Sequence, residues 1–166
     1  MHLEAFDYLR MIRGRFRDVS RLHILEFGAH DVNGSPRGLF EGCAEYVGID
    51  PWPGLGVDVV ARAQDYSNPE HFDVVITAET LEHDPDPVWQ LKSAWDALKG
   101  GGKLILTAAA PPRLPHRCDG SVGDLQGEYY ANVDPMELRR WLGDWLYVDI
   151  IHDRNHGDVY VTAVKP

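Results

Sequence analysis

A short apolar run, Ile24-Leu25, leads into Glu26-Phe27-Gly28 and then a polar, glycine-bearing stretch, Ala29-His30-Asp31-Val32-Asn33-Gly34-Ser35. A second run, Tyr46-Val47-Gly48-Ile49, ends in Asp50, about 20 residues past Gly28. Strand, glycine loop, helix, strand, acid is the layout of one nucleoside-binding half of a doubly wound α/β fold. In that layout the acid receives ribose hydroxyls, because a carboxylate accepts two hydrogen bonds at once.

The loop narrows the choice of nucleoside. A dinucleotide fingerprint needs a second glycine two residues after the first, so that backbone can approach a pyrophosphate. Here that position is His30, which weakens a nicotinamide-dependent oxidoreductase reading. No G-x-x-x-x-G-K-[ST] occurs, so a P-loop is excluded. An adenosine ligand without phosphates fits better.

The rest of the chain extends the alternation. Leu3, Phe6, Leu9, Ile12, Phe16 and Val19 recur at helical spacing, predicting an N-terminal helix within residues 1–21 that packs on the core. Strands are expected at 23–27, 45–49, 58–60, 72–77 and 103–107, with a short helix near 36–43 after Ser35-Pro36. Residues 85–99 read as a helix with Val88, Leu91, Ala94, Trp95 and Leu98 on one stripe, stopped by Gly100-Gly101-Gly102. Asp134-Pro135 signals a helix start running to Trp141. Segments 145–151 and 158–164 read as a closing hairpin. The expected fold is Rossmann-like α/β, doubly wound. Its sheet is mostly parallel with one antiparallel strand, and helices cover both faces.

Composition bounds the partners. At 166 residues, one domain spanning 1–166 is the default. A net charge of −10 argues against a nucleic-acid footprint, and the arginines at 10, 13, 15, 17 and 21 read as a solvated helix face. The two cysteines, Cys43 and Cys118, form no disulfide framework. Without a signal peptide or long apolar stretch, the expectation is a cytoplasmic protein with no membrane partner. His116, Cys118, His152, Asp153 and His156 match no tetrahedral zinc spacing, so no metal is expected.

Four segments in order, I-L-E-F-G-A-H-D-V-N-G-S, Y-V-G-I-D-P-W-P-G, F-D-V-V-I-T-A-E-T-L-E-H and L-K-G-G-G-K-L-I-L-T, resemble successive motifs of class I S-adenosylmethionine-dependent methyltransferases. The resemblance covers about residues 22 to 110. It implies seven strands, a small stand-alone transferase with S-adenosyl-L-methionine as cofactor, S-adenosyl-L-homocysteine as product, and a small-molecule acceptor. The alternative is a degenerate methyltransferase-like domain that binds without catalysis.

By the same resemblance, Gly28, Ala29, Asn33 and Gly34 lie under the methionine end of the cofactor. Glu26 braces the loop or meets the ammonium group. Asp50 takes the ribose, while Pro51 and Trp52 border the adenine. Ala63 and Gln64 meet the adenine edge, although Arg62 stands where the family often has an acid. Ala78 and Glu79 lie near the sulfonium. His83 is a candidate general base, with a histidine bridging loop carbonyls as the preferred plainer reading. The loop from Ala108 to Tyr130 should supply the acceptor pocket, with His116, Asp119, Tyr129 and Tyr130 as candidates. Its run Gly127-Glu128-Tyr129-Tyr130-Ala131 lacks the histidine and arginine of an H-D-Y-W-R pattern found in related chains.

Overall fold

A computed structural model describes residues Met1–Pro166. The strands are β1 (His23–Phe27), β2 (Glu45–Asp50), β3 (Val59–Val60), β4 (Phe72–Ala78), β5 (Leu98–Ala109), β6 (Leu146–Asp153) and β7 (Asp158–Val164). They form one sheet in the order β3-β2-β1-β4-β5-β7-β6. The first five are mutually parallel, and β7 runs antiparallel to both β5 and β6. Chain order reverses between β1 and β4, which makes a crevice at their carboxyl ends.

The central strands are apolar on both faces because both are covered. Successive side chains point to opposite sides. Ile24, Val74, Ile76 and Ile105 therefore join a core with Ala5, Leu9 and Ile12 of α1 (Leu3–Arg13). Their neighbours Leu25, Phe27, Val75, Leu104 and Leu106 join a larger core with Leu91 and Ala94 of α2 (Pro87–Ala97) and Leu138 of α3 (Pro135–Trp141).

The observed helices are shorter than the periodicity predicts. α1 stops at Arg13, with Gly14 as its cap. Phe16 and Val19 reach the same core from the following loop. Leu3 is exposed, and the buried stripe is Ala5, Tyr8, Leu9 and Ile12, with Tyr8 stacked on Tyr160 at 4.8 Å. The segment after Ser35 is a 3-10 turn, Pro36–Phe40, and the Arg37 N–H donates to Ser35 Oγ at 3.1 Å.

In α2, Val88 is exposed and Gln90 is buried in its place. The Gln90 Oε1 accepts from the hydroxyls of Thr77 and Thr80 at 3.2 and 3.3 Å. The glycine triplet does not stop α2, which ends at Ala97 with Leu98 already extended. Instead Gly100–Gly102 bulge at the entrance of β5, between the pairs Phe72↔Leu98 and Val74↔Lys103. Gly101 has φ +78°, which favours glycine. No helix is long and apolar enough to cross a membrane.

The α3 start is as the sequence reads. Asp134 Oδ1 accepts from the N–H groups of Met136 and Glu137 at 2.7 and 3.1 Å. Asp134→Ala is expected to lose about 1 kcal/mol of stability, against about 3 kcal/mol for Leu104→Ala in the core. Chemical denaturation of the two variants measures the contrast.

Candidate functional site

A cavity of about 1120 Å³ opens at the carboxyl ends of β1, β2 and β4. The loop after β1 forms its floor. The N–H groups of Gly28 and Ala29 both donate to Ile49 O, at 2.9 and 3.0 Å, tying the loop to β2. Gly28 has φ +71°, and a Cβ there would stand 1.9 Å from Thr80 Cγ2. The atom that excludes a side chain at Gly28 thus belongs to the protein. Gly34 has open space around it, but its φ of +101° still favours glycine. Asn33 Nδ2 donates to Asp119 O at 3.0 Å, joining this loop to the segment after β5. Asp119 itself is exposed and does not line the cavity.

Asp50 ends β2 on the cavity wall and is 8% exposed. Its Oδ1 accepts from Trp52 N–H at 2.8 Å and its Oδ2 from His30 N–H at 3.3 Å. The carboxylate therefore holds two loops as well as facing the cavity. Pro51 and Trp52 lie at the exposed rim, with Trp52 71% exposed. Ala63 is buried and Gln64 half-buried in a 3-10 turn, Ala63–Asp65, which also borders the cavity.

Glu26 is buried in β1 and accepts from the Tyr46 hydroxyl at 2.8 Å. Burial pushes its carboxyl from 4.5 up to about 7, against the opposing pull of the Tyr46 bond. At the end of β4, Ala78 leads to Glu79, whose φ of +56° is strained for a side-chain-bearing residue. Glu79 Oε1 and Glu82 Oε2 are buried without hydrogen-bond partners. Burial raises both carboxyls, and the charge of Glu79 raises Glu82 further. The Ala109 N–H donates to Glu82 Oε1 at 3.2 Å.

Sequence reasoning passed over the group around Glu79. His2 Nδ1 lies 3.5 Å from Glu79 Oε2, and His2 Nε2 lies 2.7 Å from Asp158 Oδ2. Arg113 Nη1 donates to Asp158 Oδ1 at 2.9 Å. These residues come from α1's entry, β7 and the long loop, so no local spacing connects them. Thr80 was also missed, although it both seals Gly28 and bonds Gln90.

His83 and His116 line the cavity and pack edge to face, ring centres 5.2 Å apart. His83 Nδ1 has no hydrogen-bond partner. Burial lowers the pKa of both rings, and for His83 the neighbouring His116 adds to this. Tyr129 reaches the cavity, but Tyr130 does not line it. The Tyr130 ring instead packs against His83 and His116, and its hydroxyl donates to Asn132 Oδ1 at 2.7 Å. Tyr130 is thus a support behind the histidines, a correction to its expected place in the acceptor pocket.

Glu26 gives a pH test. A carboxyl with a raised folded-state pKa stays protonated after the unfolded chain has ionised, so stability falls as pH rises from 4.5 to about 7. Glu26→Gln removes this loss. From about pH 5 to about pH 8 the variant is expected to gain on the parent by about 2.5 kcal/mol, measured by denaturation at both values.

No protein-family model and no curated protein sequence matches the chain. Solved structures do. One is the 1,6-didemethyltoxoflavin-N1-methyltransferase of Burkholderia thailandensis with S-adenosylhomocysteine bound, at 15% identity and TM-score 0.68, covering 98% of this chain and 76% of that one. Another is the magnesium protoporphyrin IX methyltransferase of Synechocystis with S-adenosylmethionine bound, at 15% identity and TM-score 0.70, covering 98% and 79%. A third is phosphoethanolamine N-methyltransferase 2 of Haemonchus contortus, at 14% identity and TM-score 0.69, covering 96% of this chain and 52% of that one. The chain is built on the class I S-adenosylmethionine-dependent methyltransferase fold.

Proposed function

We propose that residues 1–166 form one domain that binds S-adenosyl-L-methionine and moves its methyl group to a small-molecule acceptor. The observation that carries this reading is the Asp50 carboxylate, set at the end of β2 beside the Gly28 loop in a cavity at the switch point. The donor set fits the cofactor. Asp50 presents a carboxylate to ribose hydroxyls, and Glu26 and Glu79 put two more acids around a cationic ligand. Glu79 Oε1 is a buried acceptor that makes no close hydrogen bond, with the Thr107 hydroxyl as its neighbouring donor.

When bound, the cofactor supplies a methyl group on a sulfonium, an electrophile that needs in-line alignment and a dry site. The protein's part is then positioning. Gly28, Ala29 and Gly34 shape the floor, Trp52 offers a stacking face at the rim, and Gln64 offers hydrogen bonds beside it. His83, His116 and Tyr129 line the cavity beyond Glu79 and form the acceptor end. The imidazoles of His83 and His116, both lowered in pKa by burial, are the groups there able to take a proton from the nucleophile.

Calorimetric titration with S-adenosylmethionine and S-adenosylhomocysteine tests the reading. Binding of either supports the cofactor assignment, and absence of both in a folded sample overturns it. Binding without turnover on any acceptor would favour the degenerate binding domain. Asp50→Ala is expected to weaken both ligands by at least roughly tenfold. It should also cost about 1 kcal/mol of stability, because two loop N–H groups lose their acceptor.

The two ligands differ in charge, which isolates Glu79. Glu79→Gln is expected to weaken the sulfonium ligand at least roughly tenfold more than the neutral product. An equal effect on both would remove Glu79 from the sulfonium's surroundings. In the parent, sulfonium affinity should rise with pH more steeply than affinity for the product, because the raised Glu79 carboxyl ionises beside the sulfonium while Glu26 ionises beside the ammonium group that both ligands carry.

A further inference from the structure

The end of the sheet opposite the cavity carries a second cluster. His23 opens β1, Glu45 opens β2, and His71 immediately precedes β4. Parallel register puts His23 beside Glu45. His23 Nδ1 lies 2.9 Å from Glu45 Oε2, His71 Nε2 lies 2.5 Å from the same oxygen, and the two nitrogens are 3.1 Å apart. Three potential ligand atoms, from the first residues of β1 and β2 and the residue before β4, thus lie within 4.8 Å of one another.

From these distances we propose that His23, Glu45 and His71 form a binding site for one divalent transition cation of the zinc type. Two imidazoles and a carboxylate oxygen are a donor set that suits zinc. Bonds of about 2.0–2.2 Å in a tetrahedral shell put neighbouring donors about 3.3 Å apart. The observed contacts widen to that spacing by less than about 1 Å. Without a cation, the shared oxygen must serve two ring nitrogens that also crowd each other. With one, all three atoms direct lone pairs at it. The side chains are 34%, 39% and 34% exposed for His23, Glu45 and His71, so water has access to the remaining position.

The backbones that carry these side chains are fixed. The His23 N–H donates to Asp73 Oδ2 at 2.9 Å, and Lys99 Nζ holds the other Asp73 oxygen at 2.9 Å. The His71 N–H donates to Ala97 O at 3.0 Å, and the Glu45 N–H to Leu22 O at 3.3 Å. The two imidazole rings stand edge to face at 82°, and His71 packs edge-on against the buried Phe72. A cation there would clamp β1, β2 and β4 together at their amino ends. It would bind the folded chain in preference to the unfolded one, and so raise its stability.

The test is titration of the full chain with zinc against a chromophoric chelator, with thermal unfolding followed in parallel. The parent is expected to take up zinc at this site and to unfold at higher temperature when loaded. His71→Ala and the near-isosteric Glu45→Gln should each weaken that uptake by at least roughly tenfold and abolish the thermal shift. S-adenosylmethionine titration of the same variants should match the parent, because the trio lies at the other end of the strands. Zinc uptake unchanged in both folded variants, or no uptake by the folded parent, would overturn the proposal.

Discussion

β1 and β4 run side by side, and where both end the Cα of Gly28 faces Thr80 with no space for even a methyl group. That contact sets the path of the loop after β1. The same Thr80 hydroxyl reaches Gln90 of α2, and Thr77 reaches the same amide oxygen. The loop floor, the end of β4 and the start of α2 are therefore tied at one place. The loop's other anchor is Ile49 O, which accepts from both Gly28 and Ala29. Held between β2 and β4 in this way, the loop leaves the switch-point crevice open as a cavity and sets Asp50 on its wall.

Charge is distributed around this cavity in a way that burial makes costly. Glu26, Glu79 and Glu82 are withdrawn from water, and burial raises each carboxyl. Glu26 has the Tyr46 hydroxyl as a donor at 2.8 Å, whereas Glu79 Oε1 and Glu82 Oε2 make no close hydrogen bond. A protein that maximised stability would not keep such acids beside each other, because unpaired buried polar groups cost free energy. Backbone strain at Glu79 points the same way. Strain and unsatisfied acceptors thus collect at one strand end, where the proposed cofactor would supply the missing positive charge.

Much of the framework was legible in the sequence because it rests on local rules. A short, β-branched apolar run such as Phe72 to Thr77 reads as a strand covered on both faces, and it is one. Asp134-Pro135 caps a helix because side-chain chemistry at that position is local. Helix ends were less legible. Phe16 and Val19 keep the α1 spacing yet leave the helix at Gly14, since a loop can return apolar residues to the same core. The glycine triplet resembled a helix stop but serves a strand bulge, a distinction that depends on pairing with Lys165 and β4.

The site divides along the same line. Residues at strand ends, Glu26, Gly28, Asp50 and Glu79, were legible because alternation of strand and loop puts strand ends at the switch point. What surrounds them was not. Arg113 and Asp158 meet across the long loop and β7, and Tyr130 turns away from the cavity to back the two histidines. The trio His23, Glu45 and His71 shows the limit most clearly. Metal motifs are recognised in sequence when the ligands share a helix or a hairpin, where spacing fixes geometry. Here the geometry comes from parallel register, which brings the first residues of β1 and β2 level and sets the residue before β4 beside them. A doubly wound sheet has two ends. Its loops after the strands advertise a site by their glycines and acids, while its strand starts can assemble a second one with no motif at all.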